Sequence, residues 1–127
     1  MKYIKFVLIA LMITCVTSSM NVFAGAKYYS FNVPGYNGSV QTELRTDKYL
    51  MKEETLENVI VSPTGDTLDV CMKNSANAKI GPWRIIEHGK ITMFDDSQEI
   101  LPANYSLYID SRWNYTKSTY TSFNWYY

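Results

Sequence analysis

Cysteine is nearly missing from this 127-residue chain, which holds only Cys15 and Cys71, along with a single histidine, His88. Small exported domains that build too little core are commonly stapled by several disulfides, and two cysteines exclude that scaffold. So few sulfur and imidazole ligands also exclude the repeated Cys/His spacings of structural zinc sites. Glycine and proline are sparse, at six and four, which excludes a collagen-like or low-complexity chain. Neither sign of charge dominates, since twelve Lys and Arg balance twelve Asp and Glu. With no basic stripe, the chain is not built for nucleic acid or for anionic membrane surfaces. Phosphate-cradling glycine loops and Ser-His-Asp signatures are absent as well.

Long hydrophobic runs are missing with one exception, at the start. Met1–Lys5 carries two lysines, Phe6–Val16 is an apolar run without charge, and Ala24, Gly25 and Ala26 follow as small residues. That order of charge, apolar core and small-residue exit is the pattern of a secretory signal peptide. We assign it to residues 1–26, with cleavage after Ala26 and a second acceptable site after Ala24. The uncharged stretch ending at Met20 falls short of the ~20 residues that span a bilayer, so contact with a membrane ends when the signal is removed. Cys15 follows Thr14, where a lipidation signal carries a smaller residue or serine. The expectation is a secreted, extracellular protein whose residues 27–127 form one β domain. Losing Lys2 and Lys5 leaves ten basic residues against twelve acidic ones. Cys71 is then alone, so no disulfide forms within the mature chain, while a Cys71-linked dimer stays open. An exported chain without disulfides fits a Gram-positive source. The three sequons, at Asn37, Asn104 and Asn114, then read as coincidences of a Ser/Thr/Asn-rich β protein.

What the mature chain does have is period-two alternation. Tyr29, Phe31 and Val33 alternate with Tyr28, Ser30 and Asn32, the signature of a half-buried strand. Pro34–Gly38 is a turn, because Pro fixes φ and Asn-Gly accepts positive φ. Val40, Thr42 and Leu44 alternate next, and the two runs pair on this reading as a first hairpin. Asp47–Asn58 is ambiguous: its Lys, Met, Glu and Leu content favours helix, but its apolar residues do not recur at helical spacing, so helix and loop both stand. Val59–Val61, the turn Ser62–Asp66 and the alternating Leu68, Val70 and Met72 read as a second hairpin. Asn74–Gly81 reads as a loop, followed by strands at Trp83–Glu87 and Ile91–Phe94 on either side of a His88–Lys90 turn. Asp95–Pro102 is an acidic connection. Tyr105, Leu107, Ile109 and Trp113 then share one face, and Phe123, Trp125 and Tyr127 share another after a turn at Asn114–Ser118. Seven or eight short strands without a long helix predict an all-β fold, an antiparallel β-sandwich or small barrel.

Three features carry possible chemistry. Between Tyr105 and Tyr127 lie six tyrosines, two tryptophans and a phenylalanine, a strip able to stack on sugar rings, on peptidoglycan or on a partner protein. Alternation sends Phe123 and Trp125 into the core. It leaves Tyr108, Arg112, Tyr120 and Tyr126 as the candidate binding residues. Cys71 and His88 are the second feature, but neither sits in the small-residue frame of an activated nucleophile, and no catalytic residue is assigned. The third is the acidic cluster Asp95, Asp96 and Glu99, which lacks the spacing and glycine of a calcium loop. No metal and no cofactor is expected.

The segments Tyr29–Val33, Arg45–Thr46 and Tyr120–Trp125 resemble a family of small exported Gram-positive proteins of unknown function, in which a signal peptide precedes about 100 residues of strands. Phe123-Asn124 stands where that family carries a glycine–aromatic pair. A looser similarity joins the β-rich lactococcin-like bacteriocins. Neither resemblance implies catalytic residues. The expected function is a secreted binding protein acting at the bacterial cell surface or on a partner protein, and not an enzyme. A bacteriocin-like antimicrobial and a small secreted hydrolase are the alternatives.

Overall fold

Alternating apolar residues need a second apolar layer to cover them, and here two antiparallel sheets cover each other. The computed structural model describes residues 25–46, 53–94 and 104–127. Residues 1–24, where the signal peptide is expected, residues 47–52 of the ambiguous stretch and the Asp95–Pro102 connection, with Asp95, Asp96 and Glu99, lie outside the described residues. Nine strands occur among those described: β1 Ala26–Val33, β2 Ser39–Gln41, β3 Arg45–Thr46, β4 Glu54–Ser62, β5 Thr67–Asn74, β6 Lys79–Glu87, β7 Thr92–Phe94, β8 Asn104–Asp110 and β9 Thr119–Tyr126. One sheet runs β1-β9-β4-β7 and the other β2-β8-β5-β6, with β3 also on β8. The fold is an antiparallel β-sandwich, and no helix occurs among the described residues.

The inner faces follow from the alternation. Leu68, Val70 and Met72 of β5 and Leu107 and Ile109 of β8 meet Leu56 and Val61 of β4 and Phe123 and Trp125 of β9, all fully buried. Each such side chain contributes ~1.5–3 kcal/mol relative to exposure. The expected pairing of neighbours in sequence does not hold. β1 pairs with β9, with Tyr29 opposite Phe123, while β2 pairs with β8. The Pro34–Gly38 turn therefore carries the chain from one sheet to the other and does not close a hairpin. Its left-handed residues are Tyr36 and Asn37, not the glycine. Gly38 is required for space instead, since a Cβ there sits 2.6 Å from the Pro34 ring. The Ser62–Asp66 turn likewise crosses, because β4 belongs to the four-stranded sheet and β5 to the other. Alternation fixes which side of a strand is buried but says nothing about its partner, which is why both hairpins fail. The segments Tyr29–Val33 and Tyr120–Trp125, far apart in sequence, lie side by side.

The second half of the ambiguous stretch is strand, not helix or loop. β4 alternates inward through Glu54 and Leu56, then shifts register against β9 between Glu57 and Ile60, where Asn58 takes a left-handed φ of 52°. Glu54 is fully buried and accepts the indole N–H of Trp125 at 2.9 Å. Around it the Arg45 guanidinium lies 3.5 Å from the Tyr127 ring centre and 5.4 Å from that of Trp125. Glu43 accepts from both Lys27 and the Tyr29 hydroxyl. The Lys27 ammonium, more than any other group, holds the Glu43 carboxyl down to about 2, whereas burial followed by the Glu43 contact pushes the Tyr29 phenol up to about 12.

Candidate functional site

The outer face of the five-stranded sheet carries the side chains that alternation turns away from the core. On β5 these are Asp69, Cys71 and Lys73, and on β8 they include Tyr108 and Asp110. Register sets Asp69 directly opposite Asp110 and Cys71 opposite Tyr108. Strand β6 adds the decisive irregularity. Val70 faces Arg84 and Met72 faces Ile80, so Gly81, Pro82 and Trp83 bulge opposite Cys71 alone. Gly81 supplies the positive φ of 69° that this bulge needs. Pro82 is tolerated because β6 is an edge strand. The bulge brings Trp83 out over the sheet, edge-to-face with Tyr108 at 6.0 Å, with 43% of its surface still exposed.

Beyond Asp110 the strand ends, and Trp113 does not continue the core row as its spacing suggests. It is 77% exposed, standing on a loop that is tied down on several sides. Tyr36 N–H donates to the Tyr115 carbonyl at 2.6 Å, Ser111 N–H donates to the Gly38 carbonyl at 2.9 Å, and Tyr115 N–H donates to the Arg112 carbonyl at 3.1 Å. The Ser111 hydroxyl donates to the Pro34 carbonyl at 2.6 Å, and the Tyr115 hydroxyl accepts the Thr67 N–H at 2.8 Å. A Cβ at Gly35 would stand 2.5 Å from the Tyr115 carbonyl oxygen, so this close seating of two loops requires glycine.

Between these aromatics the surface is hollowed. A depression of 340 Å³ is lined by Asn37, Asp69, Ser111, Arg112, Trp113 and Asn114. A second, of 320 Å³, is lined by Asp69, Trp83 and Asp110. Asp69 lines both, so the two depressions adjoin across it as the halves of a trough, one half lined by Trp113 and the other by Trp83. Arg112 reaches Asp69 at 3.9 Å. Burial, and then the neighbouring Asp69 charge, push the Asp110 carboxyl up, and its Oδ1 is buried without a hydrogen-bond partner among the described residues.

The four candidate residues from sequence divide between opposite outer faces. Arg112 lines the trough, and Tyr108 stands beside it against Trp83. Tyr120 and Tyr126 are half-buried on the outer side of the four-stranded sheet, where the Tyr28 phenol is drawn down by its hydrogen bond with Tyr120 first and with Ser122 second. Asp69, Trp83, Asp110 and Trp113 escaped the sequence reading. The Gly-Pro-Trp run inside an edge strand was the available signal for Trp83.

Cys71 and His88 are not brought together. Thr67 pairs with Glu87, one residue short of His88, and Cys71 lies four residues further along β5, about 13 Å at strand rise. His88 is occupied otherwise: its Nδ1 accepts the Val61 N–H at 3.2 Å, filling a bond beside the β4 irregularity. Cys71 is fully buried although it faces outward, and that burial pushes its thiol up. A disulfide between two copies would require this side chain to be uncovered. Among the described residues no group of three or more His, Cys, Asp or Glu side chains is placed to hold a metal ion.

Fold and site together define an antiparallel β-sandwich bearing an open, aromatic-ended acidic trough. No protein-family model matches the sequence, and no curated protein matches it. The fold is similar to that in the crystal structure of PirA, with a TM-score of 0.51 over 79% of this chain and 93% of that one, at 6% identity. At that identity the likeness shows the fold.

Proposed function

We propose that this protein is a secreted binding protein that attaches to a component of the bacterial cell envelope, or to a partner protein displayed there, through the outer face of its five-stranded sheet. The observation that carries the reading is Trp113. A tryptophan left 77% exposed on a loop fixed by backbone and side-chain hydrogen bonds costs solvation without helping the core. Exposed aromatics on rigid supports are the usual anchors of binding surfaces. The signal-like start supports delivery outside the cell. The near-neutral charge, slightly acidic once the signal is removed, argues against nucleic acid as the target.

The test is retention of purified protein on isolated Gram-positive cell walls and on whole cells, with growth followed in parallel. Retention that Trp113→Ala reduces at least tenfold, and that Tyr120→Ala leaves unchanged, is the expected result. Retention insensitive to Trp113→Ala moves the site elsewhere, and no retention ends the reading. Inhibition of growth would identify a bacteriocin-like antimicrobial. The hydrolase alternative keeps one foothold, the facing Asp69 and Asp110 with Asp110 pushed up. Release of reducing ends from the walls would replace binding by cleavage.

A further inference from the structure

The trough's chemistry narrows its ligand, on the footing that this face is the binding face. β5 and β8 are paired on both sides, so a ligand lying across Asp69 and Asp110, away from the β6 edge, meets side chains and not backbone groups. That disfavours an extended peptide, which gains its affinity by pairing with a strand edge. Two carboxylates in register repel phosphate-bearing polymers, with Arg112 offsetting Asp69 and the Lys73 charge offsetting Asp110 only in part. An acyl chain gains nothing from a floor of carboxylates. What remains must offer hydrogen-bond donors at its edges and flat, weakly polar C–H faces above and below. Donors answer the carboxylates of Asp69 and Asp110, which line the depressions. C–H faces answer the electron-rich faces of two indoles. A pyranose ring has both.

We propose that the trough binds a glycan chain, with Trp83 and Trp113 as stacking platforms at its two ends and Asp69 and Asp110 accepting hydrogen bonds from sugar hydroxyls between them. The platforms are held before the ligand arrives. Tyr108 braces Trp83 from the side, and Lys73 covers the Tyr108 ring at 3.8 Å, leaving Trp83 as the open face. Asn37 and Asn114 flank Trp113 and add an amide donor and acceptor each. Because the trough is open and shallow, affinity comes from several rings in succession. A longer oligomer therefore binds more tightly than a disaccharide.

Titration of the purified protein with soluble oligosaccharides tests this, read by tryptophan fluorescence and calorimetry. The probes are N-acetylglucosamine oligomers of two to six residues, their de-N-acetylated counterparts and neutral β-glucan oligomers. Saturable binding that strengthens with length is expected in at least one N-acetylated or neutral series. Trp83→Ala and Trp113→Ala should each weaken it about tenfold or more, one tenfold step per 1.4 kcal/mol. Asp110→Asn, which keeps an acceptor but adds a donor, should weaken it severalfold without lowering the melting temperature. Tyr120→Ala on the opposite face should change nothing. Binding confined to the de-N-acetylated series and abolished by salt would mean that the carboxylates recognise ammonium groups, overturning the hydroxyl assignment. Retention on cell walls without binding to any oligosaccharide would overturn the glycan ligand and leave the envelope-binding reading intact. Failure of both assays would remove both.

Discussion

Replacing Trp125 with phenylalanine isolates one buried contact on which the corner of the sandwich depends. Trp125 is fully buried in β9, and its indole N–H donates at 2.9 Å to Glu54, itself fully buried in β4. Phenylalanine keeps an aromatic ring in place but removes the donor, leaving a buried carboxylate oxygen short of a partner. A hydrogen bond to a charged group contributes about 1.5–3 kcal/mol. The smaller ring gives up further buried apolar surface, on the order of 1 kcal/mol. The sum, about 2.5–4 kcal/mol, is a large share of the stability of a domain this size. It should lower the melting temperature by more than about 10 °C. Urea unfolding followed by fluorescence of the remaining tryptophans gives the free energy. A companion Glu54→Leu variant, which removes the acceptor, alone and combined with Trp125→Phe, completes a double-mutant cycle. Since the two side chains touch, the losses should fall short of additive by 1 kcal/mol or more. A Trp125→Phe loss below about 1 kcal/mol, or strict additivity in the cycle, would refute the assignment of this bond as a stabilising one.

Tyr29 makes stability depend on alkaline pH: its phenol is pushed up to about 12 in the fold from an ordinary value of 10.0. The unfolded chain releases that proton first, so stability is intact below pH 10 and falls as pH rises toward 12. Tyr29→Phe should flatten that limb of a melting-temperature profile, and an unchanged slope would contradict the burial. Glu43, held at about 2 by Lys27, acts in the opposite range. Its contribution is present above pH 4.5 and fades as pH falls toward 2, and it is small because the carboxylate is half exposed and screened. Glu43→Gln should therefore alter acid unfolding by only a few tenths of a kcal/mol. Cys71, fully buried with its thiol pushed up, should resist a disulfide-exchange reagent in the native protein and react at once in urea. Rapid native-state labelling would show that the outer face opens. Gly35→Ala drives a Cβ to 2.5 Å from the Tyr115 carbonyl and should cost ~1–3 kcal/mol. It should also displace the Trp113 loop, visible as lost envelope retention before any loss of fold.

The strands were largely legible because alternation depends on burial alone. β1, β5, β8 and β9 stand close to where Tyr29–Val33, Leu68–Met72, Tyr105–Ile109 and Phe123–Tyr127 placed them. β4 was obscured at its start because it buries a carboxylate: Glu54 sits where an apolar residue would have completed the pattern with Leu56. β6 was cut short because Gly81-Pro82 reads as a loop, although on an edge strand it makes a bulge. Pairing was not legible at all, since the partner of each strand is chosen by the whole sandwich. The site suffered most from this. Asp69 and Asp110 are separated by forty residues of sequence and meet only because β5 and β8 are neighbours. Trp113 was placed in the core row by extrapolating an alternation past the end of its strand.

The strand order also governs when the fold can exist. β9 lies in the middle of the four-stranded sheet, between β1 and β4, yet it follows all the other described strands in chain order. Until those eight residues are available, β1 lacks its pairing partner among the described strands and one wall of the core is missing. Pairings this distant in sequence form slowly even afterwards, because the connecting chain must first be brought together at an entropic cost. The four-stranded sheet therefore closes only once β9 is in place, whereas β5 and β6 can pair before it.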